Sequence, residues 1–161
     1  RIHIVGGKNH GKTALIVELV RELGRRGLRV GTIKHSSHDH ELDTYGADSH
    51  RHRQAGGTPA AVVTPGLTAV YLSRGQEDDL YQRLASLYAD CDIVIIEGHL
   101  EGDGTKIEIW RDELGTPPLS LEREDIVAIV TDSALDSAIP VWPRRDIVGL
   151  TDRIIALNGA G

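Results

Sequence analysis

Residues 6–13 read GGKNHGKT and follow directly on the apolar run Ile2-His3-Ile4-Val5. Gly6, Gly11, Lys12 and Thr13 satisfy the spacing G-x-x-x-x-G-K-[ST]. Behind them Ala14, Leu15, Val17, Leu19, Val20 and Leu23 recur at helical spacing until Gly24 and Gly27 end the pattern. The stretch therefore lies between a short buried strand and a helix, where its chemistry requires it. Glycines let successive N–H groups turn into one concavity, and the helix N-terminus adds partial positive charge there. An anion belongs in such a hollow, with Lys12 reaching the β- and γ-phosphates of a nucleotide and the Thr13 hydroxyl serving as a ligand of Mg²⁺. The expected nucleotide-binding set is Gly6, Gly7, Lys8, Asn9, His10, Gly11, Lys12, Thr13 and Ala14. The bland alternative is a glycine-rich strand-to-helix turn that matches by accident.

Working outward, Leu28 to Ile33 reads as a second strand, followed by a polar, histidine-rich stretch from Lys34 to Arg53. Two β-prone runs, Ala60 to Val63 and Ala69 to Leu72, are split by Pro65-Gly66 and predict a hairpin. Leu80, Leu84, Leu87 and Tyr88 mark a helical face, and Ile93-Val94-Ile95-Ile96 is the continuous apolar run of a strand covered on both sides. Lys106 to Trp110 alternates, Ile126 to Val130 is apolar, Val141-Trp142 is short, and Ile147 to Leu157 predicts a closing amphipathic helix. Strands alternating with helices imply an α/β fold of the P-loop NTPase kind: a doubly wound, mostly parallel sheet flanked by helices, with a β-hairpin extension. The expected organisation is one nucleotide-binding domain over residues 1–161, trimmed or cut from a longer chain, since the sequence opens on a strand and contains no methionine.

A chain of 161 residues with a single cysteine, Cys91, builds its core without an internal disulfide. No stretch approaches the apolar length that a bilayer requires, so the expectation is a cytoplasmic protein with no membrane partner. The formal net charge of −6 argues against a broad nucleic-acid surface.

Further groups are candidates. Glu97 ends the Ile93–Ile96 run at the carboxyl edge of the sheet, where a carboxylate would complete a magnesium site or orient water; the alternative is an acid that merely starts a solvated loop. Asp132 follows the Ile126–Val130 run, where its two oxygens would accept from guanine N1 and N2 hydrogens, or it is a plain turn acid. Asp48-Ser49 ahead of Arg51, Arg53 and Gln54 looks like a helix N-terminus with a capping acid. Arg51, Arg53 and Arg111 are candidates for offsetting transition-state charge on a transferred phosphoryl group. In the segment Lys106–Trp110, Trp110 is either a core residue or part of an exposed edge strand that would pair with a second copy. His35, His38, His40, His50 and His52 invite a metal reading, but none is spaced i, i+4 and no cysteine lies near; a polar loop over the nucleotide is the commoner alternative.

These features together resemble the molybdopterin-guanine dinucleotide biosynthesis adaptor protein B (MobB) family. The resemblance is carried by the phosphate loop; by Lys34-His35, His38, Asp43, Gly46, Asp48-Ser49, Arg51 and Ala55-Gly56; and by Glu97-Gly98, Lys106-Ile107 and Arg111. The chain departs from the family's usual pattern at Ser37-His38, Tyr45, Ala47 and His99-Leu100. The resemblance implies a GTP-binding, magnesium-using protein with weak GTPase activity that forms homodimers. It also implies association with a MobA-like guanylyltransferase and molybdopterin-binding proteins. On the matching positions it assigns Lys12, Glu97, Asp48 and Arg51 to the catalytic region, and Thr13, Glu97 and Asp43 to the metal. Two other readings of the phosphate loop remain open: a small-molecule kinase or ligase using ATP, and a nucleotide-dependent metallochaperone.

Overall fold

The computed structural model describes residues 1–74 and 80–159. In chain order the elements are β1 (Ile2–Val5), α1 (Lys12–Arg25), β2 (Val30–Lys34), α2 (Asp48–Gln54), β3 (Ala60–Val63), β4 (Thr68–Tyr71), α3 (Leu80–Leu84), β5 (Ile93–Glu97), β6 (Thr105–Ile109), β7 (Ile126–Val130), β8 (Val141–Trp142) and α4 (Ile147–Gly159). Short 3₁₀ turns cover Ala85–Tyr88, Asp112–Leu114 and Leu119–Leu121. The contacts divide the chain into two compact units: Arg1–Ser36 with Tyr88–Gly161, and Ser37–Leu87.

The first unit is built on a six-stranded sheet of order β2-β5-β1-β6-β7-β8, in which every pairing is parallel. β1 is buried along its whole length, between β5 (His3 opposite Ile96) and β6 (Ile4 opposite Ile107). On α1, Leu15, Ile16, Leu19 and Leu23 are buried, and they pack with Leu150 and Ile154 of α4 against Ile2, Ile4, Ile95, Ile107 and Ile109. Burying each such side chain contributes about 1.5–3 kcal/mol. Arg144 ties the start of α4 to α1 through two hydrogen bonds to Glu18, both 2.8 Å.

Side chains of a strand alternate between faces, so Lys106 and Glu108 lie on the face of β6 opposite Ile107 and Ile109. Both are buried and both are partnered. Lys106 Nζ lies 2.9 Å from Asp125, and Glu108 accepts the N–H groups of Leu119 and Ser120 at 2.7 and 3.0 Å. The exposed-edge reading of Lys106–Trp110 is therefore corrected. β6 runs between β1 and β7 with both sides paired, and Trp110 is 6% exposed with its indole N–H donating to the Thr116 carbonyl.

In the second unit β3 and β4 form the expected antiparallel hairpin, Ala61 opposite Val70 and Val63 opposite Thr68. α2 begins at Asp48, as the acid-rich start implied, but the capping role is corrected. The cap residue is Ala47 and makes no side-chain bond, while Asp48 belongs to the first turn. There its charge still favours the helix N-terminus. Among the described residues no helix is long and apolar enough to cross a membrane.

Candidate functional site

The loop between β1 and α1 carries its conformational demands in its glycines. Gly6 has φ 141°, and a methyl group there would run into the Ile109 carbonyl oxygen of neighbouring β6. Gly11 has φ 98° and sits at the N-cap of α1 in left-handed geometry, with the Arg111 guanidinium 3.0 Å from where a Cβ would stand. Only glycine meets both conditions. Asn9 also has positive φ, 67°, at the exposed crest beside Lys8, and Ala14 is exposed in the first turn of α1.

His10 is 2% exposed, and its ring braces the loop against the segment after β6. The Arg111 backbone N–H donates to His10 Nδ1 at 3.0 Å, and Nε2 lies 3.1 Å from Thr116 Oγ1. Lys12 Nζ donates to the carbonyls of Gly6 and Gly7, both at 2.8 Å, which holds the ammonium over the loop. Burial lowers the Lys12 pKa, with nearby Lys34 acting in the same sense and Glu97 opposing.

Thr13 Oγ1 donates to Glu97 Oε1 at 2.8 Å, and Lys34 Nζ lies 3.6 Å from the same oxygen. This joins the ends of β2 and β5 to the start of α1. A hydroxyl and a carboxylate so close supply the hard oxygen donors that Mg²⁺ takes. Asp132, after β7, is half-exposed, and its Oδ1 accepts the Arg145 N–H at 3.2 Å.

Asp43, Asp48 and Arg51 belong to the second unit. Asp43 is 5% exposed, 3.8 Å from Arg53, and its Oδ1 accepts the Thr44 N–H. Arg53 is in turn bound by Glu41 at 2.7 Å. Hydrogen bonds from the Asp43 N–H and from Arg53 pull the Glu41 pKa down to about 2. Asp48 and Arg51 form a solvated pair at 3.8 Å. Among the described residues no group of three or more His, Cys, Asp or Glu is arranged to hold a metal ion.

Two features escaped the sequence reading: the His10 brace and the closeness of Lys34 to Glu97. Thr116 is 106 positions from His10, and no local pattern marks the pair. The Lys34–Glu97 contact follows from parallel register, since those two residues are direct partners across β2 and β5.

Comparison with known proteins agrees with the arrangement. The family model described as molybdopterin guanine dinucleotide synthesis protein B matches residues 1–132. The molybdopterin-guanine dinucleotide biosynthesis adapter protein of Escherichia coli (strain K12) is 32% identical over 150 residues, covering 90% of this chain and 85% of that protein. Its counterpart in Haemophilus influenzae is 32% identical over 136 residues, covering 83% and 75%. The crystal structure of a MobB homolog from Bacillus stearothermophilus superposes with a TM-score of 0.71 at 25% identity, covering 99% of this chain and 98% of that one. A P-loop NTPase-like sheet, a phosphate loop in its expected place and these relatives lead to one assignment: the chain belongs to the molybdopterin guanine dinucleotide synthesis protein B (MobB) family.

Proposed function

We propose that this protein binds GTP with Mg²⁺ on the loop Gly6–Thr13 and serves as an adapter in the synthesis of molybdopterin guanine dinucleotide. The observation that carries the reading is the Thr13–Glu97 contact of 2.8 Å beside Lys12, whose ammonium lies over the loop. Loop amides and the α1 N-terminus would take the phosphates, Lys12 would contribute its charge, and Thr13 with Glu97 would hold the metal. Bound magnesium would offset phosphate charge. Asp132 would accept from guanine. Arg111, already against Gly11, is the arginine of this unit best set to meet phosphate oxygens bidentately.

Hydrolysis is expected to be slow in the isolated chain and faster with a partner. The relatives' names, adapter proteins of molybdopterin-guanine dinucleotide biosynthesis, support a place beside the other proteins of that synthesis. We infer that the partners are a MobA-like guanylyltransferase and molybdopterin-binding proteins, and that the chain acts as a cytoplasmic homodimer. Calorimetric titration with Mg·GTP and Mg·ATP tests the nucleotide reading. A hydrogen bond to a charged group contributes about 1.5–3 kcal/mol, so Lys12→Ala should weaken GTP binding at least tenfold, and Asp132→Ala should erase a preference for GTP over ATP. Equal affinity of parent and Lys12→Ala sinks the phosphate assignment, and an unchanged base preference removes Asp132.

A further inference from the structure

Beside the phosphate loop, on the α1–β2 side of the sheet, lies a cavity of about 380 Å³ that shares Thr13 and Glu97 with the proposed metal site and extends along α1 to Arg21. Its size falls in the range of small-molecule sites, roughly 300–1,000 Å³. Ile16, Val17 and Val20 of α1 face Thr32 and Ile33 of β2 across it. Val17 is 42% exposed, although it belongs to a helix whose apolar face otherwise feeds the core.

The charges around these walls are uneven. Arg21 and Lys34 are the cations of the lining, and Glu97 is its carboxylate. Glu97 is already engaged by Thr13 and Lys34. Arg21 is exposed and makes no hydrogen bond or close ion pair among the described residues; Glu18, one turn back, feels its charge but is held by both nitrogens of Arg144. A neutral apolar occupant would leave the exposed Arg21 guanidinium to water and make no use of its charge, and a simple inorganic anion would leave the apolar walls uncovered. A single molecule with a flat apolar body and one anionic end satisfies both.

We propose that this cavity binds a small organic anion. Its apolar body lies between Ile16, Val17, Val20 and Ile33, and its carboxylate or phosphate end pairs with Arg21. Thr13 and Glu97 also line the cavity, so the occupant adjoins whatever the phosphate loop holds. That adjacency to a nucleotide rests on the reading above, whereas the cavity itself does not.

The test is a titration of the full ¹⁵N-labelled chain with 2-naphthoate, in buffer free of nucleotide and phosphate, followed by amide chemical shifts. Saturable shifts centred on Val17, Val20, Arg21, Thr32 and Ile33 are expected. Arg21→Gln should weaken binding at least tenfold while leaving GTP affinity unchanged, 2-naphthamide should bind correspondingly less, and Val17→Asp should close the apolar wall to the probe. Shifts centred on Gly6–Thr13 or scattered over residues 37–87, no saturable binding, or equal affinity in Arg21→Gln would overturn the proposal. Should naphthoate bind as described while GTP does not bind at all, the cavity assignment stands and the nucleotide reading falls alone.

Discussion

The imidazole of His10 is held from two sides by groups that dictate its protonation. A backbone N–H can only donate, so the bond from Arg111 N requires a bare Nδ1 and leaves the proton on Nε2, facing Thr116 Oγ1. Burial, then the charges of Lys12 and Arg111, push the ring's pKa below its ordinary 6.5, against a weaker opposing pull from Glu108. With the folded pKa depressed, the unfolded chain binds the proton first. The contribution to stability is therefore full above about pH 6.5 and is lost as pH falls toward the folded value. His3 acts in the same sense, since burial also lowers its pKa. Denaturant unfolding at pH 7.5 and 5.5 should show lower stability at the acid end. His10→Gln should reduce that difference and cost about 1–3 kcal/mol at neutral pH, the penalty for unsatisfied buried groups. An identical pH difference in parent and variant would show that the ring is not bonded this way.

At the scale of elements, the sequence was most legible where the pattern is short-range. The loop between β1 and α1, the β3–β4 hairpin and the apolar run of β5 all appear where spacing and turn residues placed them. Of the two readings of Lys106–Trp110 the core one holds for Trp110, and the edge one, which fails, arose because Lys106 and Glu108 alternate with Ile107 and Ile109 as in a strand wet on one side. Their partners, Asp125 and the N–H groups of Leu119 and Ser120, come from segments with no recognisable signature. An open apolar surface lies on the hairpin. Val63 is 75% and Val70 48% exposed, on one face of a two-stranded sheet whose outer edges carry no further strand among the described residues. Such hairpins are marginal alone, and open apolar strands invite pairing. Replacing Val63 and Val70 together by lysine should shift the protein toward monomer in sedimentation velocity without altering nucleotide affinity. An unchanged mass distribution would place any dimer contact elsewhere.

For the whole molecule, the α/β class and the parallel sheet could be read from the alternation of strands and helices. The strand order could not, because it rests on pairings such as β1 with β5 and β6 that join residues about a hundred positions apart. The division into two units was equally hidden, since Ser36 and Leu87 bear no linker-like composition. Asp43, Asp48 and Arg51 follow the phosphate loop in the family's order, yet they are partnered within residues 37–87 by Arg53, Thr44 and one another. Glu97, by contrast, reaches Thr13 because parallel strands deliver their carboxyl ends to the same edge as the N-terminus of α1. The most direct measurement is a crystal of the full chain grown with Mg²⁺ and GDP. Density for the diphosphate should lie over the Gly6–Thr13 amides beside Lys12, with the metal between Thr13 and Glu97. Diphosphate density at another place on the protein, with that loop untouched, would contradict the account.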